Sequence, residues 1–118
     1  MEKKEDALKE KIKSWVTAAQ KRMFLEAWNI TFSWDGKDDN EPLSVTCNVE
    51  YRKADIEVNL EVYKTYEDDL IRLNCYHEVA HVLLAEYVAL GEERCVTAKQ
   101  LSSAEEQLAE IIARIALE

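Results

Sequence analysis

The chain has two histidines, His77 and His81, which stand four residues apart in the segment HEVAH. Residues four apart lie one above the other on a helix, so both imidazole rings can reach one metal ion. Zinc accepts imidazole nitrogen at about 2.0–2.1 Å and prefers four ligands in a tetrahedron. This spacing predicts a zinc site on a helix, with His77 and His81 as two of its ligands.

Glu78, between the two histidines, is the predicted catalytic base. The helix period turns it about 100° away from His77, so it can flank the metal without binding it. There its carboxylate can take a proton from a metal-activated water molecule and pass it to a leaving amine. The alternative is a metal-free buried helix with two incidental histidines, which would place two imidazoles near a core at a cost in free energy.

A catalytic zinc site needs a third protein ligand, and an acidic residue of the last predicted helix is the candidate. We take Leu108 as the centre of the apolar face of that helix. Glu105 then lies about 60° from the centre and Glu106 about 160°. Because a ligand must point at a cleft rather than into an apolar seam, Glu106 is the predicted third ligand. Glu110, one turn further on, is predicted to orient the ring of a ligand histidine.

Apolar residues at helical spacing predict the helices that hold these side chains. One helix is expected over about residues 5–28. A second is expected over about residues 66–90, with Gly91 as its C-cap. A last helix of about 15 residues is expected to begin at Ser102 or Ser103, with an acidic first turn that suits the helix dipole.

Alternating apolar and polar residues predict three strands between the first two helices. They cover about residues 30–34, 45–51 and 55–62, with a loop at 35–42 rich in Gly, Asp, Asn and Pro. The short link at 52–54 predicts that the second and third strands form an antiparallel hairpin. One side of this mainly antiparallel sheet should be buried and the other wet and acidic. The order of one helix, three strands and two helices predicts a single α+β domain.

The composition limits the classes of function that fit the chain. With 118 residues and 47 % hydrophobic content, it is long enough for one folded domain. A formal net charge of -9 argues against a nucleic-acid partner and against docking on anionic membranes. No apolar stretch is long enough to span a bilayer.

The cysteines and the charged N-terminal segment predict a cytoplasmic protein. The three cysteines, Cys47, Cys75 and Cys95, form no CxxC pair, and an odd count does not suggest a disulfide framework. We expect free thiols, with Cys47 at a core-facing strand position.

The motif and the last helix together resemble the gluzincins, zinc peptidases with HExxH on one helix and a glutamate ligand on a later one. The segment 106–113, EQLAEIIA, is similar to their glutamate motif and also selects Glu106 as ligand, with Glu110 four residues on. The short chain is most similar to the single-domain minigluzincins. The resemblance implies one zincin-like domain over residues 1–118, with a backing helix, a sheet whose edge strand rims the cleft, an active-site helix and a glutamate helix.

The resemblance implies a Zn²⁺-dependent peptidase that acts on peptides or proteins. The strand at 55–62 is the expected edge strand that would hold substrate by strand addition. Larger gluzincins stabilise the oxyanion with a later His or Tyr, and the candidates for that role here are Tyr63, Tyr66, Tyr76 and Tyr87. The competing hypothesis is a regulatory or latent zinc protein with little turnover, whose cleft is closed by its own tail or by a second copy.

The purified protein is expected to carry about one zinc ion per chain when it is prepared without chelators. Replacing His77 or His81 with Ala should remove the metal, since the two remaining ligands hold it poorly. Elemental analysis checks both expectations, and a parent protein that contains no transition metal would contradict them.

Overall fold

A computed structural model of the chain, which describes residues 2–92 and 97–118, contains four helices and a three-stranded mixed sheet. The expected α+β class is therefore confirmed. In chain order the elements are α1 (Glu2–Arg22), β1 (Asn29–Ser33), β2 (Leu43–Asn48), β3 (Lys53–Val58), α2 (Leu60–Tyr63), α3 (Asp68–Glu92) and α4 (Ala98–Leu117).

The sheet has the strand order β1-β3-β2. β2 and β3 form the predicted antiparallel hairpin, in which Leu43 pairs with Val58. β1 lies parallel to β3, with Ile30 opposite Ala54, so the sheet is mixed and the prediction of a mainly antiparallel sheet is wrong. The expectation that the strand at 55–62 is an edge strand is wrong, because β3 is hydrogen-bonded on both sides and β2 is an edge instead.

The third strand is also shorter than its alternating pattern predicts, because Asn59 ends it. The Asn59 side chain accepts a hydrogen bond from the backbone N–H of Val62 and so caps α2. Its amide also donates to the carbonyl of Asp38 in the loop at 35–42. Asn59 is only 5 % exposed, so one buried side chain both terminates β3 and fixes that loop.

The core lies on one side of the sheet. Ala54, Ile56 and Val58 of β3 are buried there in one cluster with residues of α1 and α3, such as Val16 and Val79. The intervening β3 residues carry the polar side chains, and the burial alternates along the strand. The prediction of one buried and one wet side is confirmed.

The ends of the first two long helices differ from the predicted ones. α1 stops at Arg22, where Phe24 takes a positive φ of 58° and the Gln20 amide donates to the carbonyls of Leu25 and Trp28. The predicted helix end at residue 28 is therefore too late. Gly91 is not a C-cap, because α3 continues through it to Glu92.

The N-cap of the last helix lies five to six residues before the predicted Ser102 or Ser103. Thr97 is its N-cap and forms a capping box with Gln100, in which each side chain bonds the other residue's backbone N–H. Ser102 and Ser103 lie inside the helix, and its first turn contains no acidic residue. The expected serine cap and acidic first turn are both wrong.

The fully buried residues of α4 are small, and Ile112 and Leu117 are partly buried beside them. Ala109 and Ala113 are completely buried, whereas Leu108 is 42 % exposed. The predicted apolar face centred on Leu108 is therefore wrong, because α4 packs against α3 through its alanines. Small side chains at a contact let two helices approach closely, which brings the polar residues next to the alanines near α3.

Two further observations concern the cysteines and the membrane. Cys47 and Cys75 are free thiols, Cys47 half-buried against the core and Cys75 fully buried, while Cys95 lies outside the described residues.

In residues 2–92 and 97–118, no helix is both long enough and apolar enough to cross a bilayer.

Candidate metal centre

The two histidines stand one turn apart on the same side of α3, as the spacing predicted. Their Nε2 atoms lie 3.2 Å apart, and the ring centroids are separated by 4.9 Å. His81 is buried at 9 % exposure, and the His77 side chain is 17 % exposed. Both rings thus direct the same nitrogen at one small region of space.

Glu106, from α4, reaches that region with both carboxylate oxygens. Its Oε2 lies 3.2 Å from Nε2 of His77, and its Oε1 lies 2.9 Å from Nε2 of His81. α4 thus brings the predicted third ligand to the two predicted histidine ligands across 25–29 residues of chain. The Glu106 side chain remains 57 % exposed, so the region is open to solvent on this side.

The opposite ring nitrogens face two further carboxylates of α4. Nδ1 of His77 lies 3.5 Å from Oε1 of Glu110, and Nδ1 of His81 lies 2.5 Å from Oε2 of Glu105. A carboxylate at Nδ1 favours the tautomer that leaves the Nε2 lone pair free for a metal. Glu110 is thus close to the ring that the sequence expected it to orient.

The contact of Glu105 with His81 was missed by the sequence reasoning, which treated Glu105 only as the rival ligand to Glu106. The signal was present in Ala109 and Ala113, two small residues four apart that mark the packed side of the helix. Measured from Ala109 rather than Leu108, Glu105 lies about 40° away and Glu106 about 60° away. Both glutamates therefore belong to the side that meets α3.

The arrangement of donor atoms fits zinc. Two ligands held at about 2.0–2.1 Å in a tetrahedron lie about 3.3 Å from each other, close to the 3.2 Å between the two Nε2 atoms. Two imidazoles and one carboxylate form a common ligand set of catalytic zinc. Candidate ligand atoms of His77, Glu78 and His81 all lie within 4.8 Å of one another, so Glu78 is close enough to act beside the ion.

A cleft of about 390 Å³ opens beside these residues. One wall comes from β2, with Ser44, Val45 and Cys47, and the facing wall comes from α3, with Glu78 and His81. Glu105 and Glu106 of α4 complete the lining near the histidines. The edge strand, the histidine helix and the glutamate helix therefore meet around one space.

Glu78 is the group whose acidity is most changed by this setting. Burial raises its pKa to about 8, and the neighbouring carboxylates of Glu106, Glu41 and Glu105 add to the effect. Desolvation and like charges both disfavour the ionised carboxylate. Its pKa is therefore matched to proton transfer near neutral pH.

The four tyrosines considered for oxyanion stabilisation do not line the cleft. Tyr63 and Tyr76 are buried in the core at 1 % exposure, and the Tyr63 hydroxyl accepts a hydrogen bond from Asn74. Burial raises the pKa of Tyr63. Tyr87 is 65 % exposed and lines a separate groove between α3 and α4. In the described part of the chain, the cleft has no tyrosine donor.

Comparisons of the chain with models of protein families, with curated proteins and with solved structures find no match. The resemblance to the gluzincins therefore stays a prediction.

Substitution of the three glutamates should separate the ligand from the positioning residues. Glu106→Ala should weaken zinc binding most, because it removes a donor. Glu105→Ala and Glu110→Ala should each weaken it about 10–100-fold, because each removes a carboxylate that orients a ligand ring. Competition titration with a chromophoric chelator measures all three affinities. Loss of zinc in Glu105→Ala with full retention in Glu106→Ala would contradict the assignment.

The raised pKa of Glu78 should make the metal-free protein less stable as the pH rises. The folded form keeps a proton that the unfolded form releases above about pH 4.5, so this stabilisation is complete below that pH and is lost towards pH 8. Glu78→Gln has no such proton to lose. Between pH 5 and 8 the variant should lose less free energy of unfolding than the parent, by about 1–3 kcal/mol.

Urea unfolding in the presence of a chelator, repeated at several pH values, measures this difference. Glu86→Gln, at an exposed position of the same helix, is the control and should follow the parent. The parent and both variants keep the same two histidines, so the comparison isolates Glu78. Equal pH slopes for the parent and Glu78→Gln would show that Glu78 is not protonated in the folded protein.

Proposed function

We propose that the chain is a zinc-dependent peptidase with a zincin-like domain, in which His77, His81 and Glu106 hold the ion and Glu78 moves the proton. The observation that carries the proposal is the convergence of two Nε2 atoms and one carboxylate beside a cleft that Glu78 also lines. Two imidazoles and a glutamate leave one tetrahedral position open, as catalytic zinc sites do.

Each residue of the site has its own role in the proposed reaction. A bound zinc ion supplies a Lewis acid that makes a water molecule nucleophilic near neutral pH. The Glu78 carboxylate accepts a proton from the nucleophile and returns it to the amine nitrogen that leaves. Glu105 and Glu110 hold the two rings through their Nδ1 atoms, so neither ring has to reorient during the reaction.

β2 is the strand suited to hold a peptide in this cleft. It is paired with β3 on one side, and its other edge keeps backbone N–H and C=O groups that an extended peptide can pair with. Ser44, Val45 and Cys47 of β2 line the cleft, so the bound strand would run beside Glu78 and His81. β2 therefore takes the role that the sequence assigned to the strand at 55–62.

The proposed partners and compartment follow from charge and thiol chemistry. The substrate is a peptide or protein, since a net charge of -9 disfavours nucleic acid and anionic lipid. The proposed compartment is the cytoplasm, which the free thiols of Cys47 and Cys75 support.

One observation favours a second candidate, a zinc protein with little turnover that acts in regulation or as a latent form. No tyrosine lines the described cleft, and both histidines are assigned to the metal. The negative charge that develops on the substrate oxygen therefore has no side-chain donor of these types. Removing one such donor from an enzyme typically slows it about 10²–10³-fold.

Glu78→Gln is expected to abolish peptide hydrolysis while the fold and the zinc content are retained. Gln has nearly the size of Glu but cannot accept the proton. Zinc-loaded parent and variant are compared on a library of fluorogenic peptides, with elemental analysis of each sample. Glu86→Gln, at an exposed position of α3, is the matched control and should cleave like the parent.

Each outcome selects one function. Hydrolysis by the parent and by Glu86→Gln, but not by Glu78→Gln, supports the peptidase. Equal hydrolysis by the parent and Glu78→Gln rejects Glu78 as the base. A parent that binds zinc but cleaves no peptide favours the regulatory or latent protein.

A further inference from the structure

The outward side of α4 carries an apolar stripe that the fold leaves exposed. Leu108, Ile111 and Ile115 are 42 %, 54 % and 65 % exposed. Together with Leu101 and Ala104 they form what we call the outer stripe, in which successive members are three, four, three and four residues apart. This heptad spacing is typical of a helix that packs along another helix.

The chain does not use the outer stripe for its own core. α4 packs on α3 through Ala109 and Ala113, both completely buried. A small groove between α3 and α4, about 80 Å³ in volume, borders the stripe and is lined by Tyr87, Leu101 and Leu108, among others. The stripe and the groove together form one apolar surface across two helices, and such surfaces mark contacts between proteins.

We propose that the outer stripe binds the outer stripe of a second copy of this chain, with the two α4 helices antiparallel. In the antiparallel heptad register, Leu108 faces the partner's Ile111, and Ala104 faces the partner's Ile115. Ala104, the smallest residue of the stripe, thus packs against the partner's Ile115, the most exposed one. The two-fold axis generates the same contact a second time. Four of the five stripe residues therefore pair with one another across the two-fold axis, as a symmetric dimer contact requires, while Leu101 lies opposite the partner's Glu118.

The charges near the outer stripe suit this arrangement. The chain has 24 acidic residues, yet Gln100, Gln107 and Arg114 follow the outward flank of the stripe. Charged residues are depleted at the centre of protein interfaces. The antiparallel register also places Glu118 beside the first turn of the partner helix, where the helix dipole is positive.

The size of the apolar surface sets the expected strength of the contact. The largest apolar patches on monomers cover about 300–600 Å², and stable dimers bury about 800 Å² per partner. The outer stripe is only two heptads long, so its contact should be weaker than that of a stable dimer. We expect a reversible dimer with a dissociation constant on the order of micromolar.

The dimer leaves the metal centre accessible. Glu106 lies about 160° around the helix from Leu108, so this carboxylate faces away from the outer stripe, although Glu105 lines both the cleft and the groove beside the stripe. This association therefore differs from a latent form in which a second copy closes the cleft. It stands whether or not the protein is a peptidase.

Analytical ultracentrifugation from about 1 to 100 µM, with a chelator present to prevent bridging by metal, tests the proposal. The parent should pass from monomer to dimer over this range. Ile111→Lys should weaken the dimer at least about tenfold, because it buries a charge in the contact. Leu70→Lys, at a similarly exposed position of α3, should leave the dimer unchanged.

A size exchange tests the register. Ala104→Leu and Ile115→Ala should each weaken the dimer about fivefold or more, by overpacking and by loss of a contact. The double variant should return to within about threefold of the parent. Residues 104 and 115 are about 16 Å apart along one helix, so they can compensate each other only across two copies.

A parent that stays monomeric throughout the concentration range overturns the proposal. So does a dimer that Leu70→Lys weakens as much as Ile111→Lys does. Failure of the double variant to recover overturns the antiparallel pairing of Ala104 with the partner's Ile115.

Discussion

The close packing of α4 on α3 is the contact on which the whole site depends. Ala109 and Ala113 are completely buried between the two helices. A larger side chain at either position would push the helices apart, and Glu106 would lose its approach to the two Nε2 atoms, now at 3.2 and 2.9 Å. Since the cleft is bounded by the same two helices, its shape depends on this contact as well.

Electrostatic repulsion is the second constraint on the site. Four carboxylates are gathered around the two imidazoles. Burial is the largest cause of the raised pKa of Glu78, and the negative charges of Glu106 and Glu105 add to it. A divalent cation would relieve this repulsion, because it places positive charge among all of the carboxylates. The geometry of the donor atoms and the balance of charge therefore both favour a divalent cation at this position.

Patterns within short stretches of sequence predicted much of this architecture. The features that they did not predict depend on contacts between residues far apart in the chain. The histidine spacing on a helix and the hairpin of β2 and β3 follow from nearby residues. The parallel pairing of β1 with β3 does not, because it depends on chain separated by 24 residues. The prediction for the buried side of α4 failed because Leu108, Ile111 and Ile115 are exposed, while the small residues Ala109 and Ala113 are buried. Glu105 was missed as a partner of His81 for the same reason.

The proposed metal ligands and the proposed substrate-binding wall come from separate parts of the chain. The histidines and glutamates of the site lie on α3 and α4, whereas the facing wall of the cleft is the hairpin strand β2. If the proposed function holds, mutations in β2 would change which peptides fit the cleft and leave the proposed ligand set intact. Such a division lets a lineage diversify its targets through one strand, without repeating the improbable step of assembling a metal centre.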